Sequence, residues 1–316
     1  MVGVFLSMTS KIMNLADLDN LKNRKTTSFD DRIFDGIVYL SAVVILVVVL
    51  YPLLFVLSAS FSSPDMVING KVLLLPKGIT LEPYKKVFEN ASIWMGYKNT
   101  IFYTTAGTLI NLLLTVAAAY PLSRRDLPMR KFLMLLLIFT MYFSGGMIPT
   151  YLLVRDLHMN NTIWAMLIPG AIATYNVIIA RTYFESTIPS EIYESAMLDG
   201  CSNIKILTKI VLPLSMPIIA VLALFYSVGH WNAYFNALIY LRDKELYPLQ
   251  LILRDILILN QTEDMGTNSV GMGEKVLMAE SIKYSVIVVS SVPVLILYPL
   301  IQKYFVKGIM IGAIKG

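Results

Sequence analysis

Cysteine and histidine are nearly absent from this chain of 316 residues: one cysteine, Cys201, and two histidines, His158 and His230. A single cysteine excludes an internal disulfide and any cysteine-rich zinc site. His158 has no metal-ligand partner beside it, and no H-E-x-x-H or G-x-S-x-G pattern occurs. The phosphate-cradling pattern G-x-x-x-x-G-K-[ST] is missing too, so the chain lacks the usual means of hydrolysing ATP. No catalytic residue and no metal ligand is expected. Charge is scarce, at 15%, where soluble domains carry about a quarter.

Apolar residues fill the space that charge leaves. They make up 56% of the chain, and the mean hydropathy is +0.66. Composition therefore places the chain in the membrane class. Its length would give two soluble domains, but in lipid it fits one bundle of several spans. The formal charge of +5 does not indicate a nucleic-acid surface. Its basic residues are interleaved with apolar runs instead of forming one patch, as topology signals are. Residues 1–30 are polar apart from a brief apolar start, too short for a signal-peptide core. Export is expected to be directed by the first span, which stays in the membrane.

Six stretches hold no Asp, Glu, Lys or Arg and are near span length: 36–64, 99–123, 132–154, 157–180, 213–241 and 284–302. An all-α membrane protein with about six transmembrane helices is expected. The short loop 123–131 holds Arg124, Arg125, Arg130 and Lys131, whereas the next, at Arg155-Asp156, holds one basic residue. The first loop is therefore expected inside and the second outside. Both termini and residues 182–212 then fall on the cytoplasmic side, with 65–98 and 242–283 outside. The domain division expected is a cytoplasmic segment 1–32, a transmembrane domain 33–305 and a cytoplasmic tail 306–316.

One polar insertion, within 187–213, carries a pattern. Pro189 suits the first turn of a helix, and Glu191 and Glu194 lie near its positive end. Gly200 suits a left-handed helix end, and Ser202 a cap for a second helix. There Ile204, Leu207, Ile210 and Val211 are spaced to share one face, with Lys205 and Lys209 on another. Pro213 is expected to open the fifth span. Periodicity alone fits an amphipathic loop lying on the bilayer as well as a protrusion that docks on a partner.

The spacing Glu194-Ser195-Ala196, three residues, Gly200, nine residues, Ile210-x-Leu212-Pro213 resembles the EAA loop of bacterial ABC importer permeases, with Ser195 in place of the usual Ala. The tail 303–316, with Gly308, Gly312, Lys315 and Gly316, is similar to that of MalG-type sugar permeases. The stretches 143–154, 160–184 and 228–241 are similar to the LplC/YtcP branch, which is associated with complex oligosaccharides or polysaccharide fragments. The resemblance implies an ABC importer type I permease fold in a bacterial cell membrane. It also implies partners: a second homologous permease, two copies of a cytoplasmic ATPase holding ATP and Mg, and an extracytoplasmic solute-binding protein. Glu194, Ser195, Ala196, Asp199, Gly200, Ile210, Leu212 and Pro213 would then dock the ATPase. In that family the loop matching 242–283 reaches into the binding protein.

Charge-free spans argue against an ion-driven carrier, which keeps intramembrane acids or bases. Sugar sites need aromatic faces with amides or hydroxyls. The candidates are Tyr142 and Ser144, then Tyr175 and Asn176, then His230, Trp231, Asn232, Tyr234 and Asn236. For each, the competing assignment is a satisfied residue in helix packing. The double glycine Gly145-Gly146 before Pro149 fits either a helix break or close packing. Rival functions are an ABC permease for a peptide or amino acid and an independent secondary carrier.

Overall fold

A computed structural model describes residues 29–263 and 282–296, with side chains for 32–257 and 282–296. Residues 1–28 and the tail with Gly308, Gly312, Lys315 and Gly316 lie outside the described residues, as do residues 264–281 of the segment expected outside. Two compact units divide the chain, Met1–Phe55 and Val56–Gly316. Among the described residues every regular element is a helix.

Helix α1 (Phe29–Ser60) is apolar on all sides, with a mean hydropathy of 3.0 over its most apolar window. Its side chains from Arg32 to Leu53 are exposed. A helix apolar all round has lipid or protein as its solvent, not water, and 32 residues exceed the bilayer's hydrocarbon thickness.

In the second unit, α2 (Pro64–Ile68) and α3 (Glu82–Glu89) lead into α4 (Ala91–Ser123), the long central helix. Asn90 caps α4, its side-chain oxygen accepting the Ser92 N–H at 3.0 Å. Its buried positions Ile93, Gly96, Thr100, Tyr103, Gly107, Asn111, Thr115 and Ala119 recur every three or four residues. The stripe is small and polar, as suits helices that associate without a hydrophobic drive. At Gly96 the backbone of Leu249 comes so near that an added Cβ would lie 3.0 Å from its Cα.

The third expected span is not straight. α5 (Arg130–Tyr142) and α6 (Met147–Asp156) meet at 110° across Phe143–Gly146. Gly146 takes φ +84, so the double glycine makes a break. Among the described residues α5 buries none of its side chains.

The fourth expected span, 157–180, is not a continuous helix either. It contains the single turn α7 (Trp164–Leu167), a break at Gly170 (φ +77), and α8 (Thr174–Thr187), which runs seven residues past the expected end. Hydropathy missed this because the carbonyls freed at the break are bonded by a distant side chain, Asn111.

α9 (Ser190–Leu198) and α10 (Asn203–Leu214) form the polar insertion, and α11 (Met216–Trp231) departs from α10 at 83°. Pro213 lies inside α10, so it does not open the fifth span; Pro217, in the first turn of α11, does. α12 (Phe235–Tyr240), a 3-10 turn (Lys244–Leu246), α13 (Leu249–Glu263) and α14 (Ile282–Ile296) complete the described chain. α4 packs against α8, α11 and α13. At one end of α4 the core joins Ala119, Tyr120 and Leu122 to Phe184 of α8, Ala196 of α9, Ile206 of α10 and Leu222 of α11. At the other it joins Ile93 to Trp231, Leu249 and Val286.

Candidate functional site

The insertion folds as the local signals direct, with two shifts. Pro189 occupies the cap position in place of the first helical one, at ψ 148, and α9 begins at Ser190. Gly200 ends α9 at φ +72, with no atom near its would-be Cβ. Ser202 caps α10, its hydroxyl accepting the Lys205 N–H at 3.4 Å. α10 then widens into a π-turn over Leu207–Val211. One extra residue per turn rotates the face. The buried anchors are therefore Ile206 and Val211, while Ile204 is 75% exposed. The expected face of Ile204, Leu207, Ile210 and Val211 holds only from Leu207 onward.

The tip of the elbow combines exposed apolar and acidic groups. Leu198 is 89% exposed, beside exposed Met197 and Ile204. Glu191, Glu194 and Asp199 are exposed around them. On one side of α9 a cavity of about 510 Å³ opens towards the loop after α4, with Glu185, Glu191 and Glu194 in its lining. On the other a recess of about 330 Å³ is lined by Glu191, Ser195, Ala196, Asp199 and Ile210. Glu194 and the Ser195-Ala196 pair thus face different hollows. Gly200, Leu212 and Pro213 line neither. Ser195 donates its hydroxyl to the Glu191 carbonyl at 2.8 Å, so its departure from alanine is satisfied within the helix.

Sequence reasoning took Arg124 and Arg130 only as topology charges. Arg124 is 8% exposed and lies over the Tyr193 ring, 4.5 Å from its centre. It donates two bonds of 2.9 Å to Asp126. That bidentate contact holds the Asp126 carboxyl below its usual range. Arg130 and Arg181 converge on Glu185 at 2.6 and 2.5 Å, tying α5 to α8.

Among the polar candidates in the spans, several are consumed by packing. His230 Nε2 lies 2.7 Å from Asn111 Oδ1. Asn111 Nδ2 donates to the carbonyls of Ala171 (2.8 Å) and Gly170 (3.4 Å). The amide orientation is thereby fixed, so Nε2 of His230 carries the proton. Trp231 is 5% exposed and donates to the Ser290 carbonyl at 3.1 Å. Asn232 bonds back to the Val228 carbonyl at 2.9 Å. Asn176 is 7% exposed, and Asn236 is half-buried.

Tyr142, Tyr175 and Tyr234 are exposed, as is Ser144 at the break. The run 230–236 therefore divides between packing and exposure. Sequence reasoning missed Asn111, whose only sign was an amide inside a charge-free stretch.

At the opposite end, Asn161 (φ +58) clamps the start of the segment 242–283. Its Oδ1 accepts from the N–H groups of Arg242 and Asp243 at 2.9 Å each, and its Nδ2 donates to Asp243 at 2.7 Å. Asn99, Thr100 and Tyr103 of α4 bond the backbone of 245–249.

Comparison with known proteins bears on this geometry. The family described as binding-protein-dependent transport system inner membrane component matches residues 21–311. The chain is 41% identical over 286 residues to the polygalacturonan/rhamnogalacturonan transport system permease protein YtcP of Bacillus subtilis (strain 168), covering 90% of this chain and 99% of that one. It is 40% identical over 304 residues to Protein LplC of the same organism, covering 96% and 100%. Among solved structures, a chain of a bacterial ABC transporter involved in the import of the acidic polysaccharide alginate superposes with a TM-score of 0.81 at 35% identity. That alignment covers 89% of this chain and 99% of the other.

Proposed function

The chain belongs to the binding-protein-dependent transport system inner membrane components, and from there we propose that it is the permease subunit of an ATP-driven importer of oligosaccharides or polysaccharide fragments. The observation that carries the mechanism is the elbow at 190–214: a hinge that only a left-handed residue allows, with an apolar tip and free carboxylates around it. Glu194, Asp199 and the small, exposed Ser195 engage a cytoplasmic ATPase, whose closure on nucleotide displaces the elbow; Ala196, expected to dock with them, is 6% exposed and instead packs the elbow onto the core. ATP and Mg reside on that partner. A switch between outward and inward states needs several kcal/mol of state-selective input, and the span residues include no acid or base array to supply it.

The sugar route lies where the helices are broken. Irregular backbone at membrane depth is tolerated only against protein or a water-filled cavity. The break at Phe143–Gly146, with exposed Tyr142 and Ser144, is such a place. We assign it, with Tyr175 and Tyr234, to the wall shared with a second, homologous permease. His230 and Trp231 support that wall from behind, while Asn232 is exposed beside them. The names of relatives associated with polygalacturonan, rhamnogalacturonan and alginate favour fragments that carry uronic acids. A solute-binding protein delivers them to the outer face, where 242–283 begins at the Asn161 clamp. In this reading both termini are cytoplasmic.

Copurification with the ATPase tests the proposal. Wild type retains it, whereas Glu194→Lys reverses a docking charge and Gly200→Pro forbids φ +72. Both variants are expected to lose the ATPase while staying folded. Uptake that continues after ATP depletion would refute an ATP-driven importer.

A further inference from the structure

The elbow is joined in sequence to α8 and α11, but neither joint is straight. Pro189 separates α8 from α9, and α10 meets α11 at 83°. Both halves of the elbow are instead held by a third element, the cytoplasmic end of α4, about 70 to 80 residues away in the chain. Tyr120, 6% exposed, donates its hydroxyl to the Asn203 carbonyl of α10 at 3.2 Å. Arg124 lies over the Tyr193 ring of α9 and brings Nη2 to 3.9 Å from the Met197 sulfur. Asp126 fixes the guanidinium in that pose. Ala119, Tyr120 and Leu122 also share one core with Ala196 and Ile206.

Further along α4, Asn111 bonds both the break at Gly170-Ala171 and His230 of α11. A single continuous helix therefore touches the elbow at one end and two pathway elements in its middle. Packed elements shift between discrete arrangements instead of deforming smoothly.

Resting on the docking proposed above, we infer that Arg124 and Tyr120 are positioning residues that carry elbow displacement into α4. Through Asn111, α4 carries it to the broken fourth span and to α11. The stacked, forked guanidinium is what the Arg124 end needs, and a lysine cannot reproduce it. At Tyr193 the contact is made by the ring.

The test uses the complete importer in lipid nanodiscs, with Cys201→Ser and a reporter Ser144→Cys at the break. The rate at which a water-soluble thiol reagent labels position 144 is measured with and without Mg·ATP and vanadate, so no sugar is required. ATPase copurification is scored on the same samples. In the parent the nucleotide changes the labelling rate. Arg124→Lys, Tyr193→Ala and Tyr120→Phe are each expected to keep the ATPase bound yet shrink that change by about two- to thirty-fold, the range for mutations along a coupling route. Tyr193→Phe is expected to restore what Tyr193→Ala loses.

Tyr120→Phe removes one hydroxyl and leaves the fold standing, so it decides the matter should a larger change unfold the chain. If Tyr120→Phe and Tyr193→Ala both keep the full nucleotide response, the inference is overturned. If the parent loses nothing on Glu194→Lys, the docking itself is wrong, which is a separate result.

Discussion

Replacing Gly107 by alanine tests the interior of the bundle most directly. A Cβ there would lie 2.4 Å from both Cε1 and Nε2 of His230, where 3.4–4 Å is ordinary contact. The ring must retreat by about 1 Å, and that carries its 2.7 Å bond to Asn111 past the length of a hydrogen bond. Overpacking of this kind costs about 1–3 kcal/mol, and a lost interhelical hydrogen bond in a membrane protein about 0.6. Gly107→Ala should therefore destabilise the protein by about 2–3 kcal/mol.

The assay is unfolding in detergent, run as a double-mutant cycle with His230→Ala. Removing the imidazole makes room for the methyl group, so in that background Gly107→Ala should cost under about 0.5 kcal/mol. The coupling between the two sites would then be about 2 kcal/mol. If the substitution costs the same in both backgrounds, or nothing in either, His230 does not pack on Gly107 and the Asn111 relay is wrong.

Four further outcomes are expected. Ile206→Ala, at a fully buried anchor, should cost about 2–5 kcal/mol of stability. Ile204→Ala, 75% exposed, should change unfolding by under about 0.5 kcal/mol while weakening ATPase copurification. Asn161→Ala removes three side-chain bonds and leaves at φ +58 a residue without the polar side chain that makes asparagine tolerant of the left-handed region. Amide exchange at Arg242 and Asp243 should quicken about tenfold or more, and Asn161→Gly should recover only the backbone part.

The fourth concerns acid. The folded-state carboxyl of Asp126 is lowered by Arg124, so its stabilisation is complete above the ordinary carboxylate value and lost as pH falls through the lowered one. The stability difference between wild type and Asp126→Asn should be flat from about pH 5 to 8 and fade only below about pH 4. It should stay under about 1 kcal/mol, because the Asp126 side chain is 64% exposed.

The particular residues divide by the range of their signals. Gly200 and Ser202 act within one turn, and each was readable where it stands. So was the continuous α1, whose apolar run needs no partner to be a helix. Ile204 misled because a π-turn, invisible to a 3.6-residue period, turned the face of α10. The run 157–180 misled because hydropathy reads length and not continuity. Its break stands because Asn111, 59 and 60 residues away, bonds the carbonyls it frees.

The sequence by itself determined a membrane-bound helical chain with a glycine-hinged polar elbow, because those features rest on composition and on contacts within a turn. Tertiary structure alone decided that α7–α8 is broken at Gly170, that His230 and Trp231 pack inward, and that Arg124 grips the elbow. Each of these depends on a partner whose nearness is set by how α4, α8 and α11 pack, and no local spacing records that distance.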